Sequence, residues 1–267
     1  MIGKMKMKNN FMTLEEMRKH EWSINWSGGK DSTATIIACI KKGIPIKEIN
    51  YVRMMFDDKL PATLPIMTDF VDNCITRFTN QYGLNVNIVK SESVMDAVAN
   101  KVYSRSKYEQ LNGTRYTLGC LSRGMCRFNV CKVKALKSIT GIEYEMIGYA
   151  VDETERIHRL NHPYQESILC TLAIKEEKCF DICKRNDMLS PLYELGFKRD
   201  GCWFCPNTSK SEIEYIKKNY PELVKIIYNE FDERPKNFLF ASKNNWVQSY
   251  LTDCKMGGLN HEGDKSC

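Results

Sequence analysis

Trp22-Ser23-Ile24-Asn25-Trp26 runs without a break into Ser27-Gly28-Gly29-Lys30-Asp31-Ser32, and a helical pattern follows. The five-residue run alternates as a buried strand does. From Thr33 to Lys42, Ile36, Ile37 and Ile40 recur at helical spacing, and Gly43 and Pro45 close the segment. Two adjacent glycines between strand and helix admit positive φ and let several N–H groups converge on one anion. The helix points its positive end at the same place. Lys30 adds a full charge, and Ser27 and Ser32 add hydroxyl donors. The spacing is not that of Walker A, which needs four residues between its first glycine and the Gly-Lys pair. Without its flanks Ser-Gly-Gly is simply a tight turn; the strand before it and the helix after it favour an anion site.

Further along, the same alternation continues. Ile46 to Phe56 reads as a second strand, followed by an Asp57-Asp58 turn with Pro61 and Pro65. Ile66 to Tyr82 reads as an amphipathic helix closed by Gly83, Leu84 to Val89 as a third strand and Tyr144 to Tyr149 as a fourth. Strands alternating with helices predict an α/β fold, a Rossmann-like parallel sheet with helices on both faces. Ligands of such sheets bind beyond the carboxyl ends of the strands, where the glycine pair falls. After about residue 160 the strand pattern fades and cysteines, aromatics and basic residues thicken. Ser211–Asn219 and Glu222–Phe231 look helical, split by Pro221. The expected organisation is a basic lead-in (1–20), a nucleotide-binding domain (21–160) and a smaller, cysteine-rich, mostly helical lobe with a polar tail (161–267).

With 267 residues, 43% hydrophobic and 27% charged, the chain has the composition of an ordinary globular protein with a core of its own. That excludes collagen-like, low-complexity and disulfide-stapled classes. No stretch reaches the roughly 18 uncharged apolar residues of a membrane span, and no apolar segment follows the charged N-terminus, so a cytoplasmic address and no membrane partner are expected. The net charge of +6 permits nucleotides or nucleic acid as partners without demanding a duplex-binding surface.

Twelve cysteines in a chain of this kind point to metal binding or thiol chemistry. Cys39 and Cys74 sit in apolar helical patterns and read as small core residues. Cys202-Trp-Phe-Cys205-Pro206 is by itself a zinc half-site, a redox pair or a cluster half-site. Cys126 and Cys131 are the natural second pair, with Cys120 as substitute, and four thiolates would hold zinc or an iron–sulfur cluster equally well. Among the acids, Asp152 and Glu153 precede Arg156, His158 and Arg159; they either hold Mg²⁺ on a polyphosphate, with arginine on phosphate or sulfate, or form a solvated charged loop. Asp57 and Asp58 orient a ribose or cap a turn. His20 and His162 read as surface residues.

Ser27-Gly-Gly-Lys-Asp-Ser32 resembles the PP-loop of the adenine nucleotide α-hydrolase-like superfamily, which splits ATP between its α and β phosphates or binds adenylyl sulfates. Gly148-Tyr-Ala-Val-Asp-Glu153 with Arg156, and Pro191 through Cys202-Trp-Phe-Cys205-Pro206, are similar to the phosphoadenosine phosphosulfate (PAPS) reductase family over roughly residues 20 to 225. The cysteine-rich form is similar to the ATP pyrophosphatases of DNA phosphorothioation and to iron–sulfur adenylyl-sulfate reductases. The resemblance implies catalytic roles for Lys30, Asp31 and Arg156. It implies nucleotide contacts from Ser27, Gly28, Gly29, Lys30, Asp31 and Ser32, joined by Asp57, Gly148 and Glu153. It also implies a [4Fe-4S] cluster on Cys126, Cys131, Cys202 and Cys205, with zinc as the alternative. Lys132 and Lys134 are reminiscent of basic residues that face the nucleotide in those relatives. Unlike the adenylyl-sulfate reductases, this chain has no adjacent Cys-Cys.

Three functions follow as expectations. The first is an enzyme that cleaves Mg-ATP to AMP and pyrophosphate, adenylating an acceptor such as DNA or tRNA for thiolation, with a sulfur donor such as a cysteine desulfurase. The second is a PAPS or adenylyl-sulfate reductase giving sulfite. Its expected nucleophile is missing: the tail reads Asp253-Cys254-Lys-Met-Gly257-Gly258-Leu259-Asn260-His261, with glycine where the family's cysteine stands and only Cys254 and Cys267 nearby. The third is a non-catalytic nucleotide-binding subunit with a structural metal.

Overall fold

The computed structural model of the chain describes residues 11–99, 102, 104, 112–113, 129–158, 160, 164–205 and 207–232. Cys120, Cys126, Arg159, His162, Cys254 and Cys267 lie outside the described residues.

Five strands form one sheet in the order β3-β2-β1-β4-β5: β1 (Trp22–Trp26), β2 (Ile46–Met55), β3 (Val86–Ser93), β4 (Tyr144–Met146) and β5 (Gln165–Glu166). β1 runs parallel to β2 and β4, and β4 parallel to β5. α1 (Leu14–Met17) precedes β1, α2 (Lys30–Lys42) links β1 to β2, and α3 (Pro65–Tyr82) lies between β2 and β3. α4 (Asn129–Lys137) leads toward β4, and the short α5 (Thr154–Ile157) follows that strand. After β5 come α6 (Ile168–Thr171), α7 (Glu176–Arg185), α8 (Pro191–Glu194), α9 (Lys210–Asn219) and α10 (Pro221–Asp232). This is the expected α/β class. The chain crosses from β1 to β2 on one side and later to β4 on the other, so the strand order reverses between β1 and β4. A crevice opens beyond the strand ends at such a switch point.

The alternation of β1 explains its packing. Trp22, Ile24 and Trp26 are buried to 1% exposure or less, and Trp26 meets the Phe78 ring of α3 edge-on at 5.2 Å. Ser23 and Asn25 point to the other face with their cross-strand partners, and there the sheet carries a hydrogen-bonded polar row. Ser23 and Asn50 both donate to Glu48, Asn87 donates to Asn50, and Asn25 and Gln165 both donate to Glu145. Cys39 and Cys74 are buried core thiols, as their patterns predict. His20 differs from expectation: it is half-buried and stacks on Tyr144 at 4.1 Å beside Trp22.

Two compact units divide the chain. The first takes residues up to Arg53, Pro65–Lys90 and Ala135–Asp200 and holds most of the sheet with α2, α3 and α5 to α8. The second takes Met54–Leu64 with the described parts of 91–134 and 201–232. Its core is aromatic: Trp203 packs on Phe56 at 4.8 Å, and Phe204 meets Phe56 at 5.0 Å. Trp203 also donates from its backbone to Ala62 and from Nε1 to Pro61, each at 3.0 Å.

Candidate functional site

The loop between β1 and α2 is braced from within. Gly28 has φ +81°, so its backbone calls for glycine; a Cβ there would also lie 2.7 Å from the Met67 Cε tip, which would have to move, and 3.2 Å from Val71 Cγ2 of α3. Gly29 is the N-cap of α2, extended at φ −77° and ψ 162°, and brings no capping side chain. The helix therefore starts at Lys30, three residues before the helical periodicity shows in the sequence. The serine hydroxyls are not spare donors in this state. Ser27 and Ser32 Oγ lie 3.0 Å apart, Ser32 donates to the Gly29 carbonyl, and Ser27 Oγ accepts from the Gly29 N–H at 3.3 Å. Trp26 Nε1 donates to Thr33 Oγ1 at 2.9 Å in the core, fastening strand to helix.

Gly148 sits where the segment after β4 crosses the first turn of α2. A Cβ there would stand 2.8 Å from Ser32 Cα and 2.9 Å from Ser32 N. This approach brings the stretch 148–156 against the loop. Arg156 pairs with Glu153 at 2.5 Å and lies over the Tyr149 ring at 4.6 Å. Burial acts against the Arg156 charge, but Glu153, Tyr149 and Asp31 together outweigh it and raise its pKa. Burial pushes the Asp31 carboxyl up against the pull of Lys30, and the neighbouring Glu153 and Glu176 charges add to the rise.

Lys30 is the hub. Its Nζ lies 3.1 Å from both Asp31 oxygens and 2.6 Å from Glu176 Oε1 at the start of α7. Burial opposes the ammonium, yet these hydrogen bonds win and raise its pKa. Four more side chains gather here that the sequence reading does not single out. Tyr193 of α8 lies against the Lys30 backbone N–H, and burial pushes its phenol up. Cys183 donates from Sγ to the Lys30 carbonyl at 3.1 Å, and buried Cys179 faces Asp31. Both thiols are pushed up by burial, Cys183 to about 12. They therefore stay protonated at neutral pH and are poor nucleophiles. Asp200 accepts from Ser190 Oγ at 2.5 Å through Oδ1, while its buried Oδ2 meets no hydrogen-bond geometry among the described residues. That oxygen would lie 3.5 Å from a Cβ on Gly29, and burial lifts the carboxyl to about 6. Glu176, Cys179 and Cys183 lie outside every motif, whereas Tyr193 and Asp200 fall inside the Pro191–Pro206 stretch that resembles the family, which could have pointed to them. Glu176 is 146 positions from Lys30, so only packing brings them together.

Asp57 belongs to the second unit and caps its own turn, accepting from the Lys59 and Leu60 N–H groups at 2.7 Å each. In the same unit the Cys202–Cys205 segment closes a turn, the Cys205 N–H donating to the Cys202 carbonyl at 2.9 Å. Trp203 and Phe204 turn into the aromatic core, while the two flanking cysteines are half-buried. Cys131 is buried on α4, and Lys134 of that helix pairs with Glu92 at 2.7 Å. Cys126 lies outside the described residues. Among the described residues no three His, Cys, Asp or Glu side chains gather as a metal-holding group, at the cysteines or around Lys30. The turn fits a pair of thiolate ligands but does not by itself complete a four-ligand set. No described helix is long and apolar enough to cross a membrane.

No protein-family model matches the chain. It is similar to two uncharacterised proteins of Methanocaldococcus jannaschii. One, MJ0973, is 23% identical over 224 residues, covering 78% of this chain and 47% of the relative. The other, MJ0066, is 24% identical over 255 residues, covering 90% and 46%. The chain thus spans about half the length of the curated relatives it matches. Among solved structures it is similar to the U34-tRNA thiolase NcsA from Methanococcus maripaludis with its [4Fe-4S] cluster, at 15% identity and a TM-score of 0.38, covering 90% of this chain and 85% of that one.

Proposed function

We propose that the chain is a PP-loop enzyme of the kind similar to the PAPS reductase family, cleaving ATP to AMP and pyrophosphate to adenylate an acceptor in a thiolation reaction. One observation carries this reading. The Ser27–Ser32 loop and the Gly148–Arg156 stretch, the two segments that resemble the family, meet at the first turn of α2 at the sheet's switch point, with Lys30 and Arg156 both facing Asp31. An α2 N-terminus without a capping side chain, beside a lysine and an arginine, suits a leaving pyrophosphate. In-line transfer at the α-phosphorus then needs mainly positioning and charge stabilisation. Lys30 would hold the departing oxygens and Arg156 the transferring phosphate, with Asp31 and Glu153 orienting these two cations. Mg²⁺, bound with ATP, would neutralise part of the polyphosphate charge. The acceptor class that fits is a nucleic acid, tRNA or DNA, with sulfur from a partner such as a cysteine desulfurase.

The Cys202–Cys205 turn, with Cys126 and Cys131, is the ligand set we assign to an iron–sulfur cluster. Held by all four thiolates, it would supply positive charge and redox capacity; an iron open to the sulfur being delivered would need one of the four cysteines off the cluster. Metal analysis and visible absorption of anaerobically reconstituted wild type and Cys202→Ser test this. Equal zinc and no iron in the wild type would replace the cluster with zinc.

The activity test is one anaerobic assay on reconstituted protein, with Mg-ATP in one arm and adenylyl sulfate or PAPS plus thiol in the other. Pyrophosphate without sulfite is expected, abolished in Lys30→Met. Sulfite would make the protein a reductase and sink this reading.

A further inference from the structure

Lys30 is held by two carboxylates of different character. Asp31 is its neighbour in sequence and is four-fifths buried, so it stays with the helix. Glu176 comes from α7, makes the shorter contact at 2.6 Å, and leaves 52% of its side chain exposed.

The base that carries Glu176 is fixed at three points. Asp152 accepts from the Glu176 N–H at 3.0 Å, Cys183 donates to the Lys30 carbonyl about two α-turns further along, and buried Cys179 lies between them against Asp31. The backbone of α7 is thus pinned to α2, while the Glu176 side chain stands half in water.

An ammonium has three donors, and in this state Asp31 and Glu176 occupy them. An anion arriving at the loop needs Lys30 and meets Glu176 as both competitor and like charge. We propose that Glu176 is a positioning residue of the phosphate loop: it holds the Lys30 ammonium over Asp31 when the loop is free and yields it to phosphate oxygens on binding, thereby setting the loop's affinity for polyphosphate. This rests on Lys30 being a polyphosphate ligand, as proposed above.

The test uses the full chain and two probes, inorganic pyrophosphate and ATP, titrated calorimetrically into wild type, Glu176→Gln, Lys30→Met and the double variant. Glu176→Gln removes the competing charge and keeps the shape. It is expected to bind pyrophosphate about 3- to 10-fold more tightly than wild type, the range of a half-exposed charge pair. In the Lys30→Met background the same change should give no gain. A second readout is the acylation rate of Lys30 by an amine reagent, followed by peptide mass spectrometry. Losing its nearest acceptor, Lys30 should label faster in Glu176→Gln, an effect that a purely structural role for Glu176 would not produce.

Equal or weaker pyrophosphate binding in Glu176→Gln, with the thermal transition unchanged, overturns the inference alone. So does a gain that persists without Lys30, which would be a general charge effect. If neither wild type nor Glu176→Gln binds pyrophosphate or ATP, the nucleotide reading fails and takes this inference with it.

Discussion

Replacing Gly148 by alanine puts one methyl group into the closest backbone approach at the candidate site. The new Cβ would lie 2.8 Å from Ser32 Cα, 2.9 Å from Ser32 N and 3.1 Å from the Asp31 carbonyl carbon. Carbon contacts settle at about 3.5–4.0 Å, so the overlap with Ser32 Cα is roughly 0.7–1.2 Å. All three opposing atoms are helix backbone, and none can rotate away as a side-chain tip would. Either the segment after β4 lifts or the first turn of α2 shifts. Overpacking of this kind costs about 1–3 kcal/mol, which for a domain of 150–250 residues lowers Tm by about 2–4 °C per kcal/mol. The shift also moves Arg156 and Lys30 relative to one another, so nucleotide affinity should fall with stability. Thermal denaturation and ATP titration of Gly148→Ala measure both. Gly201→Ala is the control, since a Cβ there meets nothing within 4 Å. A Gly148→Ala protein with wild-type Tm and wild-type affinity would refute the account of how the two segments are held together.

Other outcomes follow from single contacts. Gly28→Ala imposes a side chain at φ +81° and 2.7 Å from Met67 Cε; the backbone cost alone is about 1–2 kcal/mol, and urea denaturation should show at least that loss. Trp203→Ala empties the aromatic core of the second unit and should cost about 3–5 kcal/mol; a loss below 1 kcal/mol by the same assay would mean that this core is not what holds the Cys202–Cys205 turn. Burial raises the Asp200 carboxyl from 3.8 to about 6. With the folded value above the unfolded one, its contribution to stability is fully present below about pH 4 and is lost as pH rises through 6. Asp200→Asn should therefore gain on wild type by up to about 3 kcal/mol at pH 8 and by little at pH 4, and a difference independent of pH would count against the buried carboxyl.

The strand–loop–helix unit is legible in the sequence because each of its signals is local. Alternation makes Trp22, Ile24 and Trp26 one buried face, and a glycine at position 28 is needed for a positive φ that two neighbouring residues define. The helix start was less legible. The periodicity begins at Thr33, but α2 begins at Lys30, because Gly29 is an N-cap without a side-chain signature. β5 left no pattern at all: a two-residue strand is too short for period-two alternation, and its buried Glu166 reads as polar surface.

For the candidate site the division is sharper. Residues adjacent in sequence, Ser27 to Ser32, announce an anion loop because the backbone geometry that makes one is set within six residues. Sequence alone also marks Asp57 as either a ribose contact or a turn cap, and the two N–H groups it accepts show it capping the turn. What surrounds Lys30 is of another kind. Glu176, Cys179, Cys183, Tyr193 and Asp200 come from two helices and a loop more than 140 positions downstream of it. Glu176, Cys179 and Cys183 lie in no motif, and Tyr193 and Asp200 fall inside the Pro191–Pro206 stretch without a role that spacing reveals, since each acts through where packing puts it. The sequence by itself thus determines a glycine-pair loop between a buried strand and a helix, and where the sheet places it. Only the tertiary structure decides which acids compete for its lysine and how deeply Asp200 is buried, because burial and charge pairing depend on distances in space that no spacing along the chain encodes.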